Sequence, residues 1–297
     1  MKGKNGNDIK VAVAHNHLGF RGGGERTVLI LAANLGLDFI TAYSSPDTFR
    51  ELQDKIGTGF HPLAKQVIKL RGVRFFWLRF LFWKNRSMFK NYDVLVASDQ
   101  AATEAVAKHA RRGATKMVYT HTPPRRVFDR YEATKKMYPW FLRPAYVVFS
   151  QYWKWMYLSV IRKYDFNVAN SNNVRNRIKK YTGGDASAVV WPPIETSRFK
   201  WIEQEDYFLS WGRVDEAKRI ELIARAFKKM PELKLKIASG GPYFDRVKAI
   251  AEDAPNIEMV GWVEENQLYD LVGKCRAAIY IPIDEDAGMT HIEANAA

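Results

Sequence analysis

The sequence predicts an α/β protein built on parallel sheets, because short apolar strands alternate with amphipathic helical segments along most of the chain. The strands are continuous apolar runs, which is typical of parallel strands covered by helices on both faces. At 297 residues, 47% of them hydrophobic, the chain can bury the cores of two such domains. The predicted strands are 8–15, 38–43, 93–99, 116–121, 165–171, 187–193, 207–214, 233–241, 257–261 and 277–282.

The alternation of strands and helices falls into two blocks. Prolines and charges interrupt the pattern in WPPIETSRFKWIEQED, residues 191–206. We therefore predict one Rossmann-like domain over 1–195 and a second over 196–297. Open parallel sheets bind ligands beyond the carboxyl ends of their strands, so two facing sheets would have a cleft between them, lined by the loops that follow each strand.

The charge of the chain indicates an anionic partner. Lys and Arg number 46 against 32 Asp and Glu, a formal net charge of +14. Nucleic acid, anionic lipid and phosphorylated small molecules all fit this surplus. The first ten residues lack the apolar core of a signal peptide, and Cys275 is the one cysteine, so we expect a cytoplasmic protein without an internal disulfide.

Two stretches combine basic and aromatic residues without any acid, 71–90 and 139–164. Neither holds an apolar run long enough for a transmembrane helix. In a continuous helix Arg79, Arg86 and Lys90 would form one stripe beside aromatic residues such as Trp83, which is typical of a helix lying on an anionic membrane surface. The alternative is a core-facing helix whose arginines extend to solvent. No nucleic-acid-binding signature accompanies the stretches, so we expect no nucleic-acid partner.

The loop after the first strand is rich in glycine. Gly22, Gly23 and Gly24 would let the backbone approach a ligand, and the helix behind them offers free N–H groups to an anion. The spacing is not that of the dinucleotide fingerprint. His15 and His17 in the same loop have no acid or cysteine at ligand spacing, so we expect loop packing or substrate contact and no metal site.

A histidine follows another strand. His121 lies at a predicted carboxyl end, and Pro123 and Pro124 then fix the turn. A neutral imidazole at this position could hydrogen-bond a sugar hydroxyl or orient a leaving group.

Loops of the second block carry cations and glycines. Arg213 follows a strand, and Lys218 lies five residues on, before a helix. Two cations near helix N–H groups suit a diphosphate. Gly240 and Gly241 follow the next strand.

Two glutamates close the sequence pattern. Glu285 lies in the loop after the last strand, where it could accept hydrogen bonds from hydroxyls, and Gly288 would let a ligand approach the backbone. Glu293 falls in the first turn of the predicted helix that follows. The pair could hold separate polyhydroxy parts of one ligand; a glycosidase pair is the rival interpretation, although opposed glycosidase carboxylates rarely come from one short segment.

Seven segments together resemble a known family, the retaining, nucleotide-sugar-dependent glycosyltransferases of family 4, whose fold is GT-B. The resemblance extends over nearly the whole chain, and the ordered combination is more specific than any one segment. The segments are GGGER, YTHTPPRRVFD, VANSNNVRNRIKKYTG, VVWPPIETSRF, GRVDEAKRIELIARAF, IASGGP and the Glu-x(7)-Glu of EDAGMTHIE.

The resemblance implies roles for these positions. Arg213 and Lys218 would bind the donor diphosphate, Glu285 would hold hydroxyls of the transferred sugar, and Glu293, beside Gly288, would hold the ribose.

It also implies roles in the first domain. His121 would contact the sugar near the reacting carbon, and Gly23 and Gly24 would lie under the phosphates near the acceptor. No cofactor or metal is expected, because cations and helix ends would stabilise the departing diphosphate.

The substrates implied are a nucleotide-diphosphate sugar and a lipid-linked or glycan acceptor. HTPPR and PPIETSRF look most like members that use GDP-mannose to build surface polysaccharides and glycoconjugates, so we expect hexosyl, specifically mannosyl, transfer by a peripheral protein on the inner face of the cell membrane.

The sequence departs from the family in two respects. Ala287 and His291 stand where members commonly have Phe and Pro, so the loop before the second glutamate is expected to differ in shape. In the family the chain continues beyond this helix, so the second domain is expected to be incomplete and the chain truncated. The alternative function is therefore a catalytically weak module that binds a nucleotide sugar and docks to a membrane.

Overall fold

The computed structural model of the chain describes residues 8–19, 21–45, 48–66 and 71–297. The contacts divide the chain into two compact units, Met1–Pro193 (unit 1) and Ile194–Ala297 (unit 2). The boundary predicted after residue 195 lies two residues beyond this division.

Unit 1 contains a parallel sheet of seven strands within the described residues, in the order β3-β2-β1-β4-β5-β6-β7. The first three strands are placed outward from β1 in the order β1, β2, β3. The chain then crosses to the other side of β1 and adds β4 to β7 there, so the strand order reverses between β1 and β4. The strands are β1 (Val11–His15), β2 (Asp38–Tyr43), β3 (Phe60–Ala64), β4 (Val94–Ser98), β5 (Thr115–Thr120), β6 (Phe166–Ala169) and β7 (Ala188–Val189).

Strand β3 was not among the predicted strands. It pairs with β2 and holds Pro62, which has no backbone N–H to donate. Proline is tolerated here because β3 lies at one edge of the sheet.

Helices cover both faces of this sheet. In β1, Ala12 and Ala14 pack against one cluster of helices, whereas Val13 between them packs against the helix that follows β1. Alternate strand residues are thus buried on opposite faces, as the continuous apolar strands predict. The helices are α1 (Gly23–Leu35), α2 (Arg50–Ile56), α3 (Arg71–Lys84), α4 (Gln100–His109), α5 (Tyr131–Lys136), α6 (Arg143–Ile161) and α7 (Asn172–Thr182).

Unit 2 contains a smaller parallel sheet, of four strands in the order β10-β9-β8-β11. The strands are β8 (Phe208–Ser210), β9 (Leu235–Ile237), β10 (Ile257–Met259) and β11 (Ala277–Ala278), and the helices are α8 (Ile220–Phe227), α9 (Phe244–Ala251), α10 (Glu265–Lys274) and α11 (Met289–Ala296). Each strand is shorter than predicted, because the residues after it belong to loops. Here the strand order switches direction between β8 and β11.

Candidate functional site

Two histidines and a serine meet at the switch point of unit 1. His15 is the last residue of β1, Ser98 is the last of β4, and His121 directly follows β5. The Ser98 hydroxyl lies 2.8 Å from His121 Nε2 and 3.3 Å from His15 Nδ1. Because β1, β4 and β5 are adjacent parallel strands, their carboxyl ends bring the three side chains together.

Burial keeps both imidazoles neutral. Removal from water lowers the pKa of His15 to about 3 and that of His121 to about 4. The Ser98 hydroxyl has one hydrogen, so it can donate to one ring while it accepts a hydrogen bond from the other. The tautomers of His15 and His121 are therefore linked through Ser98, a residue that the sequence analysis did not single out.

The glycine-rich loop brings the start of α1 against His121. Gly23 is the first residue of α1, and a Cβ at Gly24 would lie 3.5 Å from the His121 ring. The backbone at Gly24 thus lies against the imidazole, and a methyl group there would contact the ring. Glu25, the next residue, is buried, and this burial raises the pKa of its carboxyl to about 7.

The residue after β4 has an unusual backbone. Asp99 has φ 69°, a region that residues other than glycine seldom adopt, and its Oδ1 accepts a hydrogen bond from Gln100 N at the start of α4. Such strain is found most often at functional sites.

In unit 2, Lys218 and Glu285 are in direct contact across the switch point. Lys218 Nζ lies 2.6 Å from Glu285 Oε2 and 3.1 Å from the Tyr280 hydroxyl. A backbone hydrogen bond joins the same two loops, since Ile283 N donates to Ala217 O at 2.7 Å. The sequence placed Lys218 and Glu285 in different loops, and the sheet brings them together.

Arg213 lies at the exposed side of this cluster. Its guanidinium pairs with Asp215 Oδ2 at 2.7 Å, and its side chain is 69% exposed. Asp215 also accepts a hydrogen bond from Lys218 N through its other oxygen. Asp215 therefore fixes the turn that carries both cations, a role that the sequence analysis missed because acids in such loops are usually solvated.

The second glutamate is buried. Glu293 is 7% exposed, and its Oε2 accepts a hydrogen bond from Trp211 Nε1 at 3.2 Å. The sequence placed Glu293 in the first turn of its helix, which is wrong: α11 begins at Met289, so Glu293 lies in the second turn.

Gly288 is required by backbone geometry. It precedes α11 with φ 62°, and a Cβ there would lie 2.7 Å from the His291 ring. His291 thus closely covers the backbone at the start of α11.

The predicted basic stripe of Arg79, Arg86 and Lys90 is not formed. Helix α3 ends at Lys84, and Arg86–Asn91 form a 3-10 helix, so the helical period does not continue. Arg79 turns toward α4, where its Nε donates to Glu104 Oε2 at 2.6 Å, and its side chain is 18% exposed. Arg86 and Lys90 are exposed.

Most of the large apolar side chains that α3 exposes are aromatic. Phe76, Phe80 and Trp83 are 65%, 44% and 53% exposed and lie at helical spacing on one face. No helix in the described part of the chain has the length and apolar character needed to cross a membrane. Across the described ranges, no group of three or more His, Cys, Asp or Glu side chains could hold a metal ion.

Solved structures show which class of protein has this architecture. HepE of Anabaena, in complex with UDP and glucose, is 14% identical with a TM-score of 0.71, over 97% of this chain and 78% of its own. TarM is 10% identical with a TM-score of 0.69, over 97% of this chain and 83% of its own. WaaG, a glycosyltransferase involved in lipopolysaccharide biosynthesis, is 14% identical with a TM-score of 0.64, over 96% of this chain and 78% of its own. The chain therefore has the α/β GT-B fold of these glycosyltransferases.

Family models assign the chain more closely. The model described as Glycosyltransferase Family 4 matches residues 21–198, and the model described as Glycosyl transferases group 1 matches residues 193–297. Since the first match alone covers more than half of the chain, the protein belongs to Glycosyltransferase Family 4 and is a glycosyltransferase. No curated protein sequence matches it.

Proposed function

We propose that this glycosyltransferase moves a hexose from a nucleotide-diphosphate sugar to a lipid-linked or glycan acceptor, and that it does so with retention of configuration. The observation that carries the proposal is the contact of Lys218 with Glu285 at the switch point of unit 2. A cation and a carboxylate at the carboxyl ends of β8 and β11 match the two chemical parts of such a donor, its diphosphate and its hydroxyl-rich sugar.

In this proposal unit 2 binds the donor. Lys218 and Arg213 neutralise the diphosphate, in place of a metal cofactor. Glu285 accepts hydrogen bonds from hydroxyls of the sugar, and Glu293, oriented by Trp211, accepts them from the ribose. The UDP and glucose named for the HepE structure support a donor of this class.

Unit 1 supplies the remaining groups. The neutral His121 ring, which lies beside Gly24, donates or accepts a hydrogen bond near the reacting carbon, and the N–H groups of α1 at Gly23 and Gly24 face a phosphate. We further propose mannose, carried by GDP, as the transferred sugar, on the likeness of HTPPR and PPIETSRF to members that use it.

The test of this function is the release of nucleoside diphosphate from nucleotide sugars, assayed with membrane lipid extracts as the acceptor source. Release from one donor, faster with acceptor than without, supports the proposal, and GDP-mannose is the donor expected. Binding of a nucleotide sugar without turnover would favour the catalytically weak binding module instead. If no donor binds and none releases nucleoside diphosphate, the proposal is overturned.

We also propose that unit 1 works on an anionic membrane surface at the inner face of the cell membrane. Residues 1–193 hold 32 Lys and Arg against 13 Asp and Glu, whereas residues 194–297 hold 14 against 19, so the basic surplus belongs to unit 1. Its helices α3 and α6 are neighbours, since the Phe75 ring lies 5.1 Å from Trp153. Apolar side chains are exposed on both helices, as expected for contact with lipid: Phe76, Phe80, Trp83, Val148, Tyr152 and Trp155.

Removal of two exposed rings should weaken membrane binding. In Phe76→Ser with Trp83→Ser we expect vesicle affinity to fall about tenfold or more, because each ring buries apolar surface in the interface. Co-sedimentation with vesicles of anionic and zwitterionic lipid measures this effect. The matched control is Trp262→Ser, which removes a ring that is 62% exposed in unit 2. Equal loss in both variants, or none in the first, would contradict the proposed surface.

A further inference from the structure

The contacts of Ser98 at the switch point of unit 1 give its hydrogen bonds a direction. Ser98 ends β4 and lies beside His15 of β1 in the register of the two strands. The residue is fully buried, and its hydroxyl contacts the His15 and His121 rings. Within the described residues no other group competes for the one hydrogen of this hydroxyl.

Two orders of donation are possible, and they differ in what His121 offers to a ligand. Burial lowers the pKa of both rings far below neutrality, so each ring carries one hydrogen. In the first order His15 Nδ1 donates to Ser98, Ser98 donates to His121 Nε2, and the hydrogen of His121 is on Nδ1. In the second order His121 Nε2 donates to Ser98, Ser98 donates to His15 Nδ1, and Nδ1 of His121 has no hydrogen.

The remaining nitrogen of His15 distinguishes the two orders. His15 Nε2 is buried and has no hydrogen-bond partner in the part of the chain that the structure describes. In the second order this nitrogen would carry the hydrogen of its ring, which would leave a buried N–H without an acceptor. In the first order it carries none. Because unpaired N–H groups are rarer in folded proteins than unpaired acceptors, the contacts favour the first order.

The ring of His121 is held in place by packing. Tyr119 lies edge-on to it, with the ring centroids 5.2 Å apart, and the backbone of Gly24 lies against it. Across the described ranges the ring makes its one hydrogen bond through Nε2, to Ser98, and it lines the cavity at the carboxyl ends of the strands. Nδ1 is therefore the nitrogen that can bind a ligand.

We propose that Ser98 is a positioning residue: by donating to His121 Nε2 it keeps the hydrogen of the ring on Nδ1, so that His121 acts on its ligand as a hydrogen-bond donor. The Nδ1–H group then binds an oxygen atom of the nucleotide sugar and cannot take a proton from it. The identity of this ligand rests on the proposed function, whereas the direction of the hydrogen bonds does not.

NMR of the whole chain labelled with 15N-histidine, without substrate, tests the direction. Protonated and bare ring nitrogens have distinct 15N shifts, and His15→Gln and His121→Gln assign the signals of the two rings. We expect the hydrogen of both rings on Nδ1. A hydrogen on Nε2 of His121 would overturn the proposal.

Ser98→Ala tests the role in transfer. Without the hydroxyl, we expect the His121 signals to shift toward the other tautomer and kcat to fall about tenfold, while KM for the donor stays within about twofold. Ser150→Ala is the matched control, because Ser150 is also buried and its hydroxyl donates to Val147 O at 2.8 Å on α6. An unchanged His121 tautomer in Ser98→Ala, or an equal loss of kcat in the control, would overturn the proposal.

A double variant tests whether Ser98 acts through His121. Added to His121→Gln, the change Ser98→Ala should lower kcat by less than about twofold further, because the ring that it positions is absent. A further tenfold loss would overturn the positioning role.

The NMR result keeps this proposal distinguishable from the proposed function. If the hydrogen is on His121 Nδ1 and no nucleotide sugar is turned over, the proposed function fails and the direction of the hydrogen bonds stands. If sugar is transferred and the hydrogen is on His121 Nε2, the proposal for Ser98 fails and the proposed function stands.

Discussion

Replacing Glu285 by alanine should lower the rate of sugar transfer by about a hundredfold or more. In the proposed complex this carboxylate accepts hydrogen bonds from the transferred sugar, and it is the one that contacts Lys218 at the carboxyl end of β11. The fold should remain, because the ion pair with Lys218 is partly exposed and pairs of this kind contribute about 1 kcal/mol or less. Release of nucleoside diphosphate measures transfer, and circular dichroism with Tm measures folding.

A matched control exists in the same unit. Glu205 forms an ion pair with Lys274 at 3.3 Å, away from the loops at the carboxyl ends of the strands. Glu205→Ala should therefore leave transfer within about twofold of the unchanged protein. If Glu285→Ala turned over at the normal rate, Glu285 would have no role in the site.

Replacing Gly241 by alanine should destabilise unit 2 by about 3 kcal/mol. A Cβ at Gly241 would lie 2.7 Å from Val214 N and closer still to Val214 O, both rigid backbone atoms. The two loops touch here because Val214 N donates to Gly240 O and Tyr243 N donates to Val214 O, each at 3.0 Å. The loop that carries Arg213 would be displaced as well.

Gly240 provides the control at the adjacent position. A Cβ there meets no atom within 4 Å, so Gly240→Ala should change stability by less than about 1 kcal/mol. Amide hydrogen exchange in β8 and β9 measures the opening free energy of unit 2 separately from unit 1. Equal stability of the two variants would mean that the loops do not pack as described.

The sequence predicts the alternation of elements well, because apolar strands covered on both faces leave a clear pattern. It also predicts that the loops after parallel strands share one edge of a sheet. The loops of Lys218 and Glu285, 67 positions apart in the chain, were therefore expected at the same edge. The missed strand β3 is only five residues long and contains His61 and Pro62, and it pairs with β2 at the edge of the sheet. Such pairing depends on the neighbouring strand and is invisible in the local sequence.

Partners within the site could not be predicted. Ser98, Asp215 and Trp211 act through contacts with His121, Lys218 and Glu293, which the fold alone establishes. The error over Arg79 has a different cause. The stripe assumed that the helical period continued past Asn85, but the Asn85 side chain donates to Leu81 O at the end of α3, and the chain then changes to a 3-10 helix.

The central claim is that the loops of unit 2 bind a nucleotide sugar through its diphosphate, and thermal stability with a panel of nucleotides tests it most directly. At about a hundred times its dissociation constant, GDP, UDP or ADP should stabilise the fold by about 2.7 kcal/mol, and Lys218→Met should abolish the shift. A shift with one base would also identify the donor, for which GDP and GDP-mannose are expected. No shift with any nucleotide, from a folded sample at saturating concentration, would contradict the account.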